Sequence, residues 1–181
     1  MRDMKTLNNG FRRVLYDAML LSESLLVVRK CRGYPKPLPD EIDGNVEAHH
    51  MNAMIQMRSM NDFFIAKNRG PNDSDTMIVT HFPGPHSHSD RLRATGTDYE
   101  RFAHVYVAHK SWAAAAKDPS VGAAQMPKPE VVRLGLGLLE GFEQFWEACR
   151  QNGVGTNLEE YAAAYVRIYR VNKQELDKIG P

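Results

Sequence analysis

The sequence predicts an all-α protein, a four- to five-helix bundle with mainly antiparallel helices and a long loop between helices two and three. Two observations lead to this fold class. Along several long segments, apolar residues recur at three- and four-residue steps, which is the spacing of one helix face. No segment alternates between apolar and polar residues for long enough to need a sheet. The 181 residues fit one domain, so we expect residues 1–181 to form a single helical-bundle domain.

The first helix is expected over about residues 4–31. Gly33 suits the C-cap, because glycine readily adopts the left-handed conformation that often ends a helix. Pro35, Pro37 and Pro39 then prevent the helix from continuing, since proline has no amide hydrogen to donate. The apolar stripe of this helix comprises Leu7, Phe11, Val14, Leu15, Ala18, Leu21, Leu25 and Leu26.

The second helix is expected from about Glu41 or Asn45 to Lys67. Its apolar arc is wide, which is typical of a helix at the centre of a bundle. Residues 69–95 then lack any periodicity and are rich in glycine and proline, so they form the predicted long loop. The main apolar stripe consists of Ala53, Met57, Met60 and Phe64, with Met51, Met54, Ile55 and Phe63 beside it.

The start of the third helix carries a specific signal. Thr97 is followed three residues later by Glu100, and this pair forms a capping box in which each side chain satisfies a backbone amide of the first turn. The third helix is therefore expected from Thr97 to about Lys117.

Two further helices complete the predicted bundle. The fourth follows a loop at 118–129 and ends at Gly153, while Thr156 and Glu159 form a second capping box for a fifth helix that reaches about Lys178. The fourth stripe is Val131, Leu134, Leu138, Phe142, Phe145 and Cys149, and the fifth is Leu158, Ala162, Tyr165 and either Ile168 or Tyr169.

Composition excludes several classes of protein. A formal net charge of +1 does not favour a general polyanion binder, which usually has a large basic excess. Cys31 and Cys149 are far apart in the sequence and form no CxxC motif, so neither a disulfide framework nor a cysteine zinc site is indicated. Asp17 and Glu23 interrupt the apolar N-terminal segment before it reaches a membrane-spanning length. We expect a cytoplasmic protein without a membrane partner.

Histidines of the predicted loop raise the question of a metal site. His81, His86 and His88 lie close together near Asp90. Imidazole binds Zn²⁺ or Ni²⁺, but a site needs three or four ligands in a fixed geometry, and nothing in the sequence fixes these. Solvated surface histidines are the alternative, and we expect no metal.

Glycines of the fourth predicted helix raise the question of a nucleotide site. Gly135, Gly137 and Gly141 match neither GxxxxGK[ST] nor GxGxxG, and no strand precedes them. We therefore expect no nucleotide cofactor, and we interpret the glycines as positions where two helices approach closely.

Polar residues on the second predicted helix form the first candidate site. Arg58 and Asp62 are four residues apart and meet on one helix face, with Asn61 beside them. These groups have two interpretations: a polar network that specifies the bundle, or support for a catalytic centre.

The third predicted helix carries the second candidate site. Arg101, His104 and His109 lie among aromatic residues and alanines, and His109 falls on the core-facing stripe. Arginine binds phosphate through its fork of donors, and histidine transfers protons near neutral pH. Together they suffice for RNA cleavage by the adjacent 2′-hydroxyl without a metal. The alternative is a buried histidine that bonds to a neighbouring helix.

Two segments carry a family resemblance. RSMNDFF of the second predicted helix and DYERFAHVYVAHKSW of the third resemble small bacterial helical proteins related to the HEPN superfamily, and the resemblance covers about residues 47–117. It implies a helical bundle, often dimeric, that binds or cleaves RNA in defence and toxin systems. It also implies Arg101 and His109 as the catalytic pair. Family members that cleave RNA separate the two residues by four to six positions and often have a polar residue after the arginine, whereas here seven residues intervene and Phe102 follows.

The sequence leaves two functions open. One is an HEPN-like RNA-binding protein or metal-independent endoribonuclease, with His109 as acid and base, Arg101 on the phosphate, and Arg58, Asn61 and His104 as supporting polar groups. The other is a non-catalytic structural or interaction subunit. A homodimer is expected in either case, because the second and fourth predicted helices offer more apolar surface than one short bundle covers.

Overall fold

The computed structural model describes residues 3–33, 37–65, 79–84, 128–156 and 162–179. Within these ranges the chain forms α-helices and two short 3₁₀ turns, with no strand, so the all-α fold class is confirmed. The described helices are α1 (Met4–Lys30), α2 (Asp40–Ile65), α3 (Lys128–Gln151) and α4 (Ala163–Lys178), and the 3₁₀ turns lie at Cys31–Gly33 and Val79–His81.

Helix α1 begins at a side-chain cap that the sequence analysis did not identify. The Asp3 carboxylate accepts a hydrogen bond from the Thr6 backbone amide at 2.8 Å and another from the Thr6 hydroxyl at 3.1 Å. This bond satisfies one of the amides that have no partner within the first turn. The helix ends at Lys30, within one residue of the predicted end, but its C-cap is Cys31 and not the predicted Gly33.

Helix α2 begins directly after a proline. The Pro39 carbonyl accepts hydrogen bonds from the amides of Ile42 and Asp43, both at 2.9 Å. Acidic residues occupy the first turn, where the positive end of the helix dipole stabilises them. The described helix ends at Ile65, and the predicted end at Lys67 lies outside the described residues.

Helix α3 is the fourth predicted helix, and its end is as expected. Gly153 has a φ of 78°, and the Val154 amide donates to the Cys149 carbonyl at 2.9 Å, which closes the last turn. Only a residue without a Cβ adopts this φ without strain, so glycine fits the position.

Helix α4 corresponds to the fifth predicted helix. Its described part begins at Ala163, after Ala162, which makes no side-chain capping bond. Thr156 of the predicted capping box lies in a turn, and Glu159 lies outside the described residues.

Helix α1 packs against each of the other described helices. It runs antiparallel to α2, because Asp17 bonds to Ser59 while the later residue Ser24 bonds to the earlier residue Asn52. The expected antiparallel packing therefore holds for this pair.

Helix α4 runs parallel to α1, which differs from the antiparallel pairing of α1 with α2. Ser22 bonds to Asn172, and the later residue Arg29 bonds to the carbonyl of Leu176. The order of contacts is thus the same along both helices.

An aromatic cluster joins three elements at one end of the core. The ring of Phe145 on α3 lies 5.4 Å from Phe11 of α1 and 5.2 Å from Phe63 of α2, measured between centroids. It also lies 5.2 Å from Phe82, which follows the second 3₁₀ turn. Edge-to-face contacts such as those with Phe63 and Phe82 add to the stability gained from burial.

One glycine allows α1 and α3 to approach closely. A Cβ added to Gly135 would lie 2.7 Å from a methyl carbon of the buried Leu25, so any side chain here would force Leu25 to move. The interpretation of Gly135 as a packing residue is confirmed. Gly137 differs, because an added Cβ would meet no atom within 4 Å.

The structure resolves which residue of α4 faces the core. Tyr169 is 1% exposed, whereas Ile168 is 39% exposed.

In the described part of the chain, no helix combines the length and the apolar character that a membrane span needs.

Candidate functional site

Three of the six predicted site residues lie together on one turn of α2. The Nε atom of Arg58 is 3.7 Å from an Oδ atom of Asp62, so the predicted pair forms. About a quarter of the Arg58 side chain and half of the Asp62 side chain are exposed, while Asn61 is buried at 4% exposure. Ion pairs with this exposure contribute roughly 0.2–1 kcal/mol to stability. Arg58 can therefore leave Asp62 and bind another anion at little cost.

The other three predicted site residues, Arg101, His104 and His109, lie outside the described residues, as do His86, His88 and Asp90. The structure therefore places Arg58, Asn61 and Asp62 next to each other, and the catalytic pair stays a sequence prediction.

A second polar group joins the first half of α2 to the start of α3. The Lys128 ammonium donates a hydrogen bond to the Glu47 carboxylate, whose other oxygen lies 3.7 Å from Nδ1 of the buried His50. Partial burial acts to raise the pKa of Glu47, but the hydrogen bond and the charge of Lys128 outweigh it and lower that pKa. This contact ties together the two helices that flank residues 66–127.

Three polar contacts join α1 to α2. The Ser24 hydroxyl is fully buried, accepts a hydrogen bond from the Asn52 amide at 2.7 Å and lies 3.4 Å from Nδ1 of His49. Ser59 donates to the Asp17 carboxylate at 2.7 Å, and burial raises the pKa of Asp17.

Polar contacts also anchor α4. The Arg29 guanidinium, which is 6% exposed, donates to the carbonyl of Leu176 at 3.2 Å, and Asn172 donates to Ser22 at 3.2 Å. Burial, together with a 2.6 Å hydrogen bond to Glu143, raises the pKa of Tyr169. The phenol therefore stays protonated and acts as a donor between α4 and α3.

A cavity of about 800 Å³ lies beside the second 3₁₀ turn, in the size range of small-molecule sites. His81 lies in its wall, so this histidine borders a concave surface. Among the residues that the structure describes, no three histidine, cysteine, aspartate or glutamate side chains are grouped as metal ligands. The cavity is lined by Met4, Leu7, Thr80, His81, Phe82, Pro83 and Asn152.

Cys149 is not an activated nucleophile. Burial raises the pKa of this thiol to about 12, so the thiolate is scarcely populated near neutral pH. Cys31 is half-buried at the end of α1.

Sequence reasoning missed the partners that join distant helices. Glu47 and Lys128 are 81 residues apart, and Ser22 and Asn172 are 150 residues apart. Neither pair has a local sequence signal, because only the packing of the helices brings the two side chains together.

The chain matches no protein-family model, no curated protein and no solved structure in the three comparisons made.

Proposed function

We propose that this protein is an HEPN-like helical protein that binds RNA and cleaves it without a metal. Arg101 holds the phosphate, and His109 first accepts the proton of the 2′-hydroxyl and then donates a proton to the leaving oxygen. The observation that carries the proposal is the presence of this arginine and histidine on one strongly capped predicted helix of a chain that resembles HEPN proteins. His104 is the supporting polar group on the same predicted helix.

The polar turn of α2 supports the proposal. Arg58 is partly exposed and pairs with a carboxylate that is itself half exposed, so the arginine can bind a phosphate at a small energetic cost. Asn61 is buried next to it and gives the turn a further polar group. A guanidinium is the side chain best suited to phosphate, because its planar fork donates two parallel hydrogen bonds.

The catalytic part of the proposal is tested by incubating purified protein with mixed RNA in EDTA. We expect cleavage by the unaltered protein and a loss of about a hundredfold or more for His109→Ala, the usual contribution of a general acid and base. His86→Ala is the matched control, because the resemblance gives that histidine no part in cleavage, and it is expected to cleave normally. Intact RNA with the unaltered protein would contradict the enzymatic claim.

The binding part is tested separately with a labelled single-stranded RNA. Arg58→Ala is expected to weaken binding by about tenfold, whereas Asp62→Asn, which removes only the competing carboxylate, is expected to keep or increase it. Equal affinities for all three proteins would remove Arg58 from the binding site.

A second candidate function is a non-catalytic subunit that forms a homodimer. One observation favours the non-catalytic part of this function: several buried polar side chains bond to other helices of the chain, as Ser24 does to Asn52 and Arg29 does to Leu176. Such contacts fix the register of helices without any chemistry. This function predicts that His109→Ala lowers the free energy of unfolding and that RNA stays intact with every variant.

A further inference from the structure

The exposed face of α4 has the spacing of a helix-pairing seam. Ala164, Ile168, Val171, Glu175 and Lys178 follow one another at steps of four and three residues, the repeat that keeps one stripe facing a partner helix. Ile168 is 39% exposed and Val171 is 53% exposed. These two β-branched apolar residues lie one turn apart and offer a small apolar contact to a second helix.

The opposite face of α4 is already used inside the bundle. Val166, Tyr169, Asn172 and Leu176 are its buried residues, and the contacts to Ser22 and Arg29 lie on this side. Ile168 and Val171 therefore lie outside the contact with α1, while Glu175 at the edge of the seam reaches Lys30 of α1 at 3.9 Å.

Charges on either side of Val171 are opposite in sign, which makes the face self-complementary. Arg167 lies four residues before Val171, and Glu175 lies four residues after it. In two antiparallel copies of α4 that cross at Val171, Arg167 of each chain lies level with Glu175 of the other. Arg167 is exposed and makes no ion pair with any other residue that the structure describes.

The Glu175 carboxylate can accept a further hydrogen bond from Arg167 of the other copy. Its Oε1 atom accepts a hydrogen bond from Lys178 at 2.7 Å, and its Oε2 atom is 3.9 Å from the Lys30 ammonium. An ionised carboxylate has about four acceptor positions, so a guanidinium can be added. At the ends of the seam, the long stem of Lys178 would cover the small Ala164 of the other copy.

We propose that α4 is a homodimer interface in which two copies of this chain pair antiparallel through Ile168 and Val171, with reciprocal Arg167–Glu175 ion pairs. The inference rests on the homodimer of the second candidate function and assigns the face that forms it. A helix of this length is roughly 24 Å long and gives an interface at the small end of the known range, so the dimer dissociates at low concentration. A formal net charge of +1 leaves little repulsion between two copies.

The test is sedimentation velocity of the full chain over about a hundredfold range of concentration, since mass action makes a weak dimer concentration-dependent. We expect the unaltered protein to pass from monomer to dimer, and we expect Val171→Arg to stay monomeric. The matched control is Ile55→Arg, which places the same charge on an isoleucine of α2 that is 50% exposed, and it is expected to dimerise normally.

A charge exchange tests the antiparallel geometry. Arg167→Glu and Glu175→Arg are each expected to raise the dissociation constant by about tenfold, because each places like charges together. The double variant Arg167→Glu, Glu175→Arg is expected to restore it to within about threefold, since opposite charges meet again. Arg167→Glu changes an exposed residue, so this part remains decisive if Val171→Arg does not fold.

Each contrary result has a separate meaning. A monomer at every concentration would overturn both the interface and the homodimer. A dimer that Val171→Arg leaves intact would overturn the interface on α4 and keep the homodimer. Single charge variants that weaken the dimer without rescue by the double variant would overturn the antiparallel arrangement. None of these results affects RNA cleavage, which is measured independently.

Discussion

Asp17 illustrates how packing changes the chemistry of a single side chain. The residue interrupts the apolar N-terminal segment, and in the structure its carboxylate accepts a hydrogen bond from Ser59 of α2 at 2.7 Å. Burial raises its pKa above the ordinary value of 3.8, against the opposing effects of the Ser59 hydrogen bond and the charge of Arg13. The position of α2 therefore sets the proton affinity of a residue on α1.

This shift predicts a pH dependence of stability. The folded carboxyl keeps its proton at pH values where the unfolded one has lost it, so the free energy of unfolding falls as pH rises from about 3.8 through the folded pKa. Asp17→Asn removes this contribution. Urea unfolding at a series of pH values should show that the stability of the unaltered protein, relative to Asp17→Asn, decreases as pH rises and then levels off.

Ser59→Ala provides the control for this prediction. It removes a hydrogen bond that lowers the pKa of Asp17, so the decrease is expected to extend to higher pH. A relative stability that increases with pH would contradict the assignment.

At the scale of elements, a few buried polar contacts fix how the helices align. Apolar side chains tolerate a shift of one helix along another, whereas a buried hydrogen bond is lost when its partners separate. Ser24 and Asn52 set the alignment of α1 with α2, and Ser22 and Asn172 set that of α1 with α4. Ser22 and Ser24 lie two positions apart on α1, so one turn of that helix aligns two neighbouring helices.

The contact between Ser24 and Asn52 predicts measurable coupling. Ser24→Ala and Asn52→Ala are each expected to lower the free energy of unfolding by about 1–2 kcal/mol, and the double variant by less than their sum, because both remove the same hydrogen bond. A double-mutant cycle from urea unfolding measures the coupling. Glu23→Ala, at an exposed neighbouring position, serves as the control and is expected to have little effect. Fully additive effects would show that the bond contributes nothing to alignment.

At the scale of the whole molecule, the aromatic cluster makes the described elements one core. Phe145 of α3 contacts rings from α1, α2 and the segment after the second 3₁₀ turn, and Phe142 contacts Tyr169 of α4 at 5.3 Å. Elements that share one cluster are expected to unfold together.

Removing the central ring therefore has a large and global effect. Phe145→Ala is expected to lower the free energy of unfolding by about 3–5 kcal/mol, the usual cost of an emptied phenylalanine site. Phe145→Leu keeps most of the volume and is expected to cost less. Calorimetry should show one transition at a lower temperature; two transitions would mean that the elements do not form one cooperative core.

The sequence predicted much of the fold but little of the candidate site. The bounds of α1 follow from its apolar periodicity and the end of α3 from Gly153, and the structure agrees with both, although the caps of α1 are Asp3 and Cys31 and not the predicted Gly33. The choice between Ile168 and Tyr169 as the core residue was open, because a helical stripe wide enough to include both fits the apolar pattern equally well. Of the site, the pairing of Arg58 with Asp62 was predictable since both lie on one helix.

By itself the sequence determined that this chain forms long amphipathic helices. Helix periodicity, caps and breakers act over a few neighbouring residues, so they can be recognised directly in the amino-acid sequence. Only the tertiary structure decided that α4 runs parallel to α1, that Lys128 reaches Glu47, and that Ile168 and Val171 remain exposed. These features depend on which helix faces meet, and that is settled by packing between residues far apart in sequence, for which no local pattern exists.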